Sequence, residues 1–234
     1  MAGWRDRWKA AFFGIAVVAL AGGVAWALLG SSFFVVRSVR VTGGIPRGRV
    51  LAAAGIRPGT PLIRIDTAEV ARRVERITQV QVARVTRSWP DAVVIWTRRR
   101  TAVFAVPAPG GYDLMDPFGV VLGTAARPPA GLVVLRTAGL PAARLRGSKA
   151  VYAAGLVVRE LPGWLRAKVS AVRAPGAARV SLLLRGGATV VWGGPGQGAE
   201  KARELAILLP AGARYYDVSD PAAAVTGAAA GASG

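Results

Sequence analysis

The side chains of this chain best equipped for chemistry are few and come in short-range pairs. Asp113 and Asp116 stand three apart, as do Asp217 and Asp220, so each pair offers two carboxylates that a reaction could use as acid and base. Ser148 lies beside Lys149, the composition of a serine–lysine nucleophile. The run at 193–198, GGPGQG, precedes a helical pattern and offers backbone N–H groups to an anion. Each has a plainer reading. Aspartates in turns accept hydrogen bonds from their own backbone. Sequence neighbours need not face each other, and the glycine run lacks both the Lys-Ser/Thr ending of a phosphate loop and the G-x-G-x-x-G order of a dinucleotide site. The chain holds no histidine and no cysteine. That removes imidazole bases, thiol nucleophiles, Cys/His zinc sites and disulfides. No catalytic residue, metal or cofactor is expected, and the function reads as binding.

The element that places these residues stands near the start of the chain. Residues 10–30, AAFFGIAVVALAGGVAWALLG, carry no charge, and about 20 apolar residues in a helix cross a hydrocarbon core of roughly 30 Å. The stub at 1–9 holds Arg5, Arg7 and Lys9, and short basic flanks stay cytoplasmic, whereas long folded domains are translocated largely regardless of charge. The expectation is a single-pass cell-membrane protein with its amino terminus in the cytoplasm and its bulk outside. Trp4, Trp8 and Trp26 sit where interfacial aromatics anchor such a helix. The rival is a signal peptide cleaved after Ala25-Trp26-Ala27, but the apolar run exceeds the usual length of a signal core, which favours an uncleaved anchor.

The formal charge of +19 would suit nucleic acid. With the bulk outside the cytoplasm, the polyanions within reach are lipid headgroups and anionic cell-wall polymers instead. The arginines are also spread along the chain, as on an ordinary solvated surface. No nucleic-acid partner is expected.

The outer part begins strand, helix, helix, strand, strand. Residues 34–41 alternate loosely and stop at Gly43-Gly44. Pro46 opens a short helix that Gly55 ends, Asp66 or Thr67 caps a second, and Val70, Val74 and Ile77 line its apolar face. Two β-rich runs flank Trp89-Pro90-Asp91 as a hairpin. Farther on comes a helix at about 150–161 closed by Pro162-Gly163. Two strands joined at Gly186-Gly187 in a type I′ turn follow, then a helix with Lys201 near its start and a closing strand at 215–225. That closing strand is expected near an open sheet end, where its small Ala222, Ala223 and Ala224 allow an extended partner to add a strand.

The series FVVRSVRVTG, VLAAAGIRPGTPLIRID and VARRVERITQVQVARVTRSWPDAVVIWTRRRTAV resembles the POTRA domain and junction of the bacterial cell-division protein family FtsQ, called DivIB in some lineages. The resemblance rests on Gly55, on Gly59-Thr60-Pro61-Leu62 and on the run from Val80 to Pro90. GYDLMDPFGVVLG, LVVLR and YYDVSDPAAAV extend it over nearly the whole chain. At the junction the family has an acidic residue followed by Arg and Pro, where this chain has Arg98-Arg99-Arg100-Thr101, so no role is carried over there.

The resemblance implies an α+β fold with one N-terminal transmembrane helix, a POTRA domain (β-α-α-β-β) and a β-rich mixed domain with flanking helices. The divisions are a stub at 1–9, the span at 10–30, POTRA at 31–102, the β domain at 103–225 and a disordered tail at 226–234. It further implies a divisome scaffold at the septum that binds the bitopic proteins FtsB and FtsL, with FtsW/FtsI-type and FtsK-type proteins nearby. The partner-binding residues it points to are Tyr216, Asp217, Val218, Ser219, Asp220, Ala222, Ala224 and Val225. The alternative is a secretion or envelope-assembly component that binds client polypeptides by strand addition, although repeated POTRA units or a barrel are missing. A wall-modifying enzyme is disfavoured by the same missing side chains as above.

Overall fold

The computed structural model describes residues 12–23 and 34–227. The expected stub, most of the second half of the apolar run and the Ala25–Ala27 cleavage motif lie outside them. Residues 12–23 are helical (α1) with every side chain exposed, Phe12 and Phe13 each to 72%. Among the described residues no helix is long and apolar enough to cross a membrane. The rest divides into two compact units that meet in sequence between Arg100 and Thr101.

In the first unit, β1 (Ser38–Gly43) leads to α2 (Arg47–Ala54), a 3-10 turn at Leu62–Arg64, α3 (Thr67–Glu75), β2 (Val80–Ser88) and β3 (Ala92–Arg99). This is the β-α-α-β-β order expected for a POTRA domain. Pro46, which has no N–H to lose, precedes the first turn of α2, and Gly55 closes that helix at φ 61°. Asp66 caps α3 by accepting from Ala68 N and Glu69 N, both at 2.9 Å. Those two bonds favour the ionised carboxylate and hold its pKa below the ordinary 3.8. The strands order β1-β3-β2, β1 parallel to β3 and β2 antiparallel to it. Val70 and Val74, one helical turn apart, meet Val50, Leu62, Val93 and Ile95 in a dry core. Arg87 ties the 3-10 turn to β2, donating from Nε to Leu62 O at 2.9 Å and from Nη2 to Ile65 O at 2.7 Å.

In the second unit, one sheet of nine strands orders β12-β11-β10-β9-β8-β7-β4-β5-β6. The strands are β4 (Phe104–Ala108), β5 (Gly111–Met115), β6 (Val121–Ala125), β7 (Val133–Arg136), β8 (Val169–Gly176), β9 (Arg179–Leu184), β10 (Thr189–Gly193), β11 (Tyr215–Asp217) and β12 (Val225–Gly227). Helices α4 (Lys149–Glu160), α5 (Gly163–Lys168) and α6 (Gly198–Leu208) supply Val157, Leu165 and Leu205 to a core built on one sheet face with Phe104, Leu135, Leu182, Trp192 and Tyr216. Alternation decides which face is buried. On β9, Val180, Leu182 and Leu184 are buried while Ser181 and Leu183 between them are only partly so.

Four expectations are corrected. Pro162-Gly163 ends α4 but also starts α5, because a proline before the first turn costs no hydrogen bond. The loop between β9 and β10 is not type I′: of its two glycines only Gly187 has positive φ, 85°, and Leu184 N donates to Ala188 O around a three-residue loop. The closing segment is not one strand. A turn and a 3-10 helix at Pro221–Ala223 split it into β11 and β12. Thr226 and Gly227, expected in a disordered tail, belong to β12, and residues 228–234 lie outside the described residues.

Candidate functional site

Three of the four paired aspartates are occupied by their own turns, and Asp113 lies on β5. Asp116, 1% exposed, accepts from Phe118 N at 2.9 Å and Val120 N at 2.8 Å, which shapes the turn between β5 and β6. Asp217 accepts from Ser219 N at 2.9 Å and Ser219 Oγ at 2.7 Å, and Asp220 caps the last 3-10 helix through Ala222 N at 3.0 Å. Ser148 caps α4 by accepting from Val151 N at 3.4 Å, with Lys149 as the first helical residue. Among the described residues no cluster of carboxylates could hold a metal ion.

The glycine loop after β10 binds an anion belonging to the chain itself. Gly196 N donates to both carboxylate oxygens of Glu160, at 3.3 and 3.0 Å, from the end of α4. Lys201 closes the loop from the other side, its Nζ donating to Gly194 O at 3.1 Å. Only 3% of Lys201 is exposed, and burial pushes its pKa below the ordinary 10.5 while Glu160 and Asp220 pull the other way. The loop also abuts the turn carrying β12, since a Cβ on Gly193 would come within 2.9 Å of Ser219 Cβ.

The remaining candidate is the sheet edge at β12. β11 runs parallel to β10, pairing Thr189 with Tyr215, Val190 with Tyr216 and Val191 with Asp217. Thr189 N donates to Arg214 O and Val218 N donates to Val191 O. In a parallel ladder alternate residues turn toward the same neighbour, so Arg214, Tyr216 and Val218 direct their backbone groups at β10. Tyr215 and Asp217 then direct theirs at β12, where they pair with Gly227 and Val225. Thr226, between those two partners, directs its N–H and C=O away from the sheet. Among the described residues no strand covers that side. The edge is open by one donor and one acceptor at Thr226.

The residues expected to bind a partner divide accordingly. Tyr216 and Val218, 1% and 0% exposed, are core side chains. Asp217 is half-buried and shapes its turn, while Ser219, Asp220 and Ala222 are exposed on the connection and Ala224 is partly packed on the core. Val225, 56% exposed, lies on the open strand. Thr226 and Gly227 were missed, although the adjacent β-branched pair Val225-Thr226 is itself a strand signal.

Comparison with known proteins places these features in context. Residues 34–97, the first unit from just before β1 to near the end of β3, match the family model described as POTRA domain, FtsQ-type. The chain is 35% identical over 218 residues to the cell division protein FtsQ of Streptomyces bingchenggensis (strain BCW-1), covering 90% of this chain and 82% of that protein. It is 35% identical to cell division protein FtsQ of Mycobacterium leprae (strain Br4923), covering 89% of this chain and 61% of that protein. Against cell division protein FtsQ of Mycolicibacterium smegmatis (strain ATCC 700084 / mc(2)155) it is 38% identical over 79% of this chain and 55% of that protein. The chain thus spans little more than half the length of these mycobacterial relatives.

Proposed function

The chain belongs to the FtsQ family of cell-division proteins, and from that premise we propose that it works without catalysis, as a scaffold that docks FtsB and FtsL on its outer β domain. The observation that carries this reading is the open edge of β12. An extended partner segment pairs with Thr226 through backbone hydrogen bonds and so extends the sheet. Exposed Val225 and the small side chains of Ala222 and Ala224 leave room for it. Lys201, Glu160 and the Gly194–Gly196 turn act behind the edge by fixing the connection that carries β12.

In this reading, residues 10–30 anchor the protein with its amino terminus in the cytoplasm, 31–102 form the POTRA domain and 103–227 the partner-binding domain. The anchor is supported by the uncharged run and by the exposure of Phe12, Phe13, Ile15 and Leu20 on α1, side chains that water solvates poorly. The arginine-rich outer surface adds attraction to anionic lipid and cell-wall polymers, and FtsW/FtsI-type and FtsK-type proteins are the further neighbours such a scaffold would meet.

A fluorescent fusion to the full chain tests the reading in dividing cells. A band at midcell that depends on FtsB and FtsL binding is expected. A uniform envelope signal, with no recovery of FtsB or FtsL on the purified protein, would defeat it.

A further inference from the structure

A second site lies on the same unit, away from the β12 edge. β4 is parallel to β7 and β7 is parallel to β8. After β4 the chain turns outward to β5, whereas after β7 it crosses through α4 to β8, so the strand order reverses between β4 and β7. Open sheets bind ligands where such a reversal separates the loops at the carboxyl ends of parallel strands. A cleft of about 900 Å³ opens there, lined by Pro107 near the end of β4, by Arg136 at the end of β7 and the loop that follows it, and by Arg173 of β8. A smaller cavity of about 260 Å³ shares Arg136, Leu140 and Arg173.

Two features of this cleft suit it to a ligand. Arg136 and Arg173 are register partners on β7 and β8, which puts their side chains on one sheet face about 4.8 Å apart at the backbone. Like charges directly opposite destabilise a sheet. Both side chains are exposed, and among the described residues neither guanidinium has a hydrogen-bonding or ionic partner. Between the two arginines in the chain lies a strained turn. Ala138 and Gly139 hold φ of 49° and 87°, closed by Leu140 N to Thr137 O at 3.1 Å and Thr137 Oγ to Leu140 O at 2.6 Å. Alanine in the left-handed region costs free energy, and such outliers gather at ligand sites. The turn sets Leu140, 50% exposed, at the cleft wall.

We propose that this cleft binds an extended protein segment bearing a carboxylate, which accepts hydrogen bonds from Arg136 and Arg173 while its apolar neighbours lie on Leu140, Pro141 and Pro107. Paired guanidinia offer planar, forked donors that match a carboxylate. The proline-rich wall has few N–H groups and takes apolar side chains. Asp113 on the same lining distinguishes a peptide from a polyanion: it repels a chain of phosphates but accepts a hydrogen bond from a peptide N–H. The site is separated from β12 by three intervening strands of the sheet, β9 to β11, and does not rest on the identity of the partner there.

The test uses the full chain in detergent micelles and a labelled hexapeptide of alanine, valine and proline with one central glutamate, capped at both ends, beside its glutamine twin. The glutamate peptide is expected to bind at least about tenfold more tightly than the twin, and Arg136→Ala or Arg173→Ala each to weaken it by about tenfold or more, with binding that falls as salt is raised. Thermal melting controls for folding: both alanine variants keep or raise the melting temperature, because they relieve like-charge repulsion. Arg136→Glu is the sharper variant, since it pairs with Arg173 in the ladder, stabilises the unit and closes the site to the peptide. Equal binding of the two peptides, no binding at about 1 mM, or full binding to the Arg136→Glu protein overturns the proposal. Tripolyphosphate that binds more tightly than the glutamate peptide, with the same arginine dependence, also overturns it in favour of a polyanion site.

Discussion

Proline at position 226 separates the open edge from the fold that carries it. Because Tyr216 directs its backbone groups at β10, Thr226 N–H points outward, and Thr226→Pro removes that donor without removing any of the β11–β12 bonds at Val225 and Gly227. Proline is tolerated on an edge strand whose N–H faces solvent. A strand-added partner then faces the edge with one carbonyl left without a donor, a loss of about 1–3 kcal/mol, or roughly 5- to 150-fold in Kd. Val218→Pro is the contrast. It deletes the bond from Val218 N to Val191 O and a fully buried side chain, and the unpaired carbonyl alone costs the fold about 1–3 kcal/mol. Titration of labelled FtsB against each variant, alongside thermal melts, reads both effects. The expected pattern is weak binding with an intact fold for Thr226→Pro, and a lowered melting temperature for Val218→Pro. Hydrogen exchange adds a residue-level check, with the Thr226 amide unprotected in the free protein and protected in the complex. Wild-type affinity in a folded Thr226→Pro protein refutes strand addition at β12. Collapse of the fold in that variant refutes the outward direction of Thr226.

Two further outcomes follow from cations that hydrogen-bond backbone carbonyls. Lys201 is held below its ordinary pKa of 10.5, chiefly by burial, so between its folded-state value and 10.5 the unfolded chain holds the proton more strongly and stability rises with pH; below that window the burial cost stands in full. Urea unfolding across the alkaline range is expected to show this rise in the wild type and a flatter curve for Lys201→Met, and identical slopes would contradict it. Arg87 holds two carbonyls of the turn after α2, so Arg87→Ala should lower the stability of the first unit by about 1–3 kcal/mol. Arg87→Lys should restore less than half, because an ammonium lacks the fork, and full rescue by lysine would show that charge alone suffices.

The first unit was legible because its signals are local and agree with one another. Asp66 before a helix, Val70 and Val74 four apart, Gly55 at a helix end and Trp89-Pro90-Asp91 between β-rich runs each fix a boundary on their own. The second unit was less so. β4 went unnoticed because Phe104–Ala108 is short, includes Pro107 and draws its strand character from neighbours on both sides, β5 and β7. The closing segment read as one strand because its split depends on aspartates capping backbone two residues ahead, at Ser219 and Ala222. Thr226 and Gly227 looked too poor in apolar surface to be ordered, yet the backbone pairing of Val225 with Asp217 and of Gly227 with Tyr215 orders both. The arginine cleft was invisible for a related reason: Arg136 and Arg173 are far apart in the chain, and only strand register makes them neighbours.

Among the described residues the nine-stranded sheet is bare at both ends, with β12 at one and β6 at the other, eight strand spacings or roughly 38 Å apart. An object with two unlike sticky ends can stack head to tail, and repetition of that contact gives a fibre, not a closed ring. A strand laid on β12 therefore also stops growth. It converts a potential monomer of a polymer into a finished particle with one remaining end, so expression without a partner carries a self-association hazard that expression with one does not.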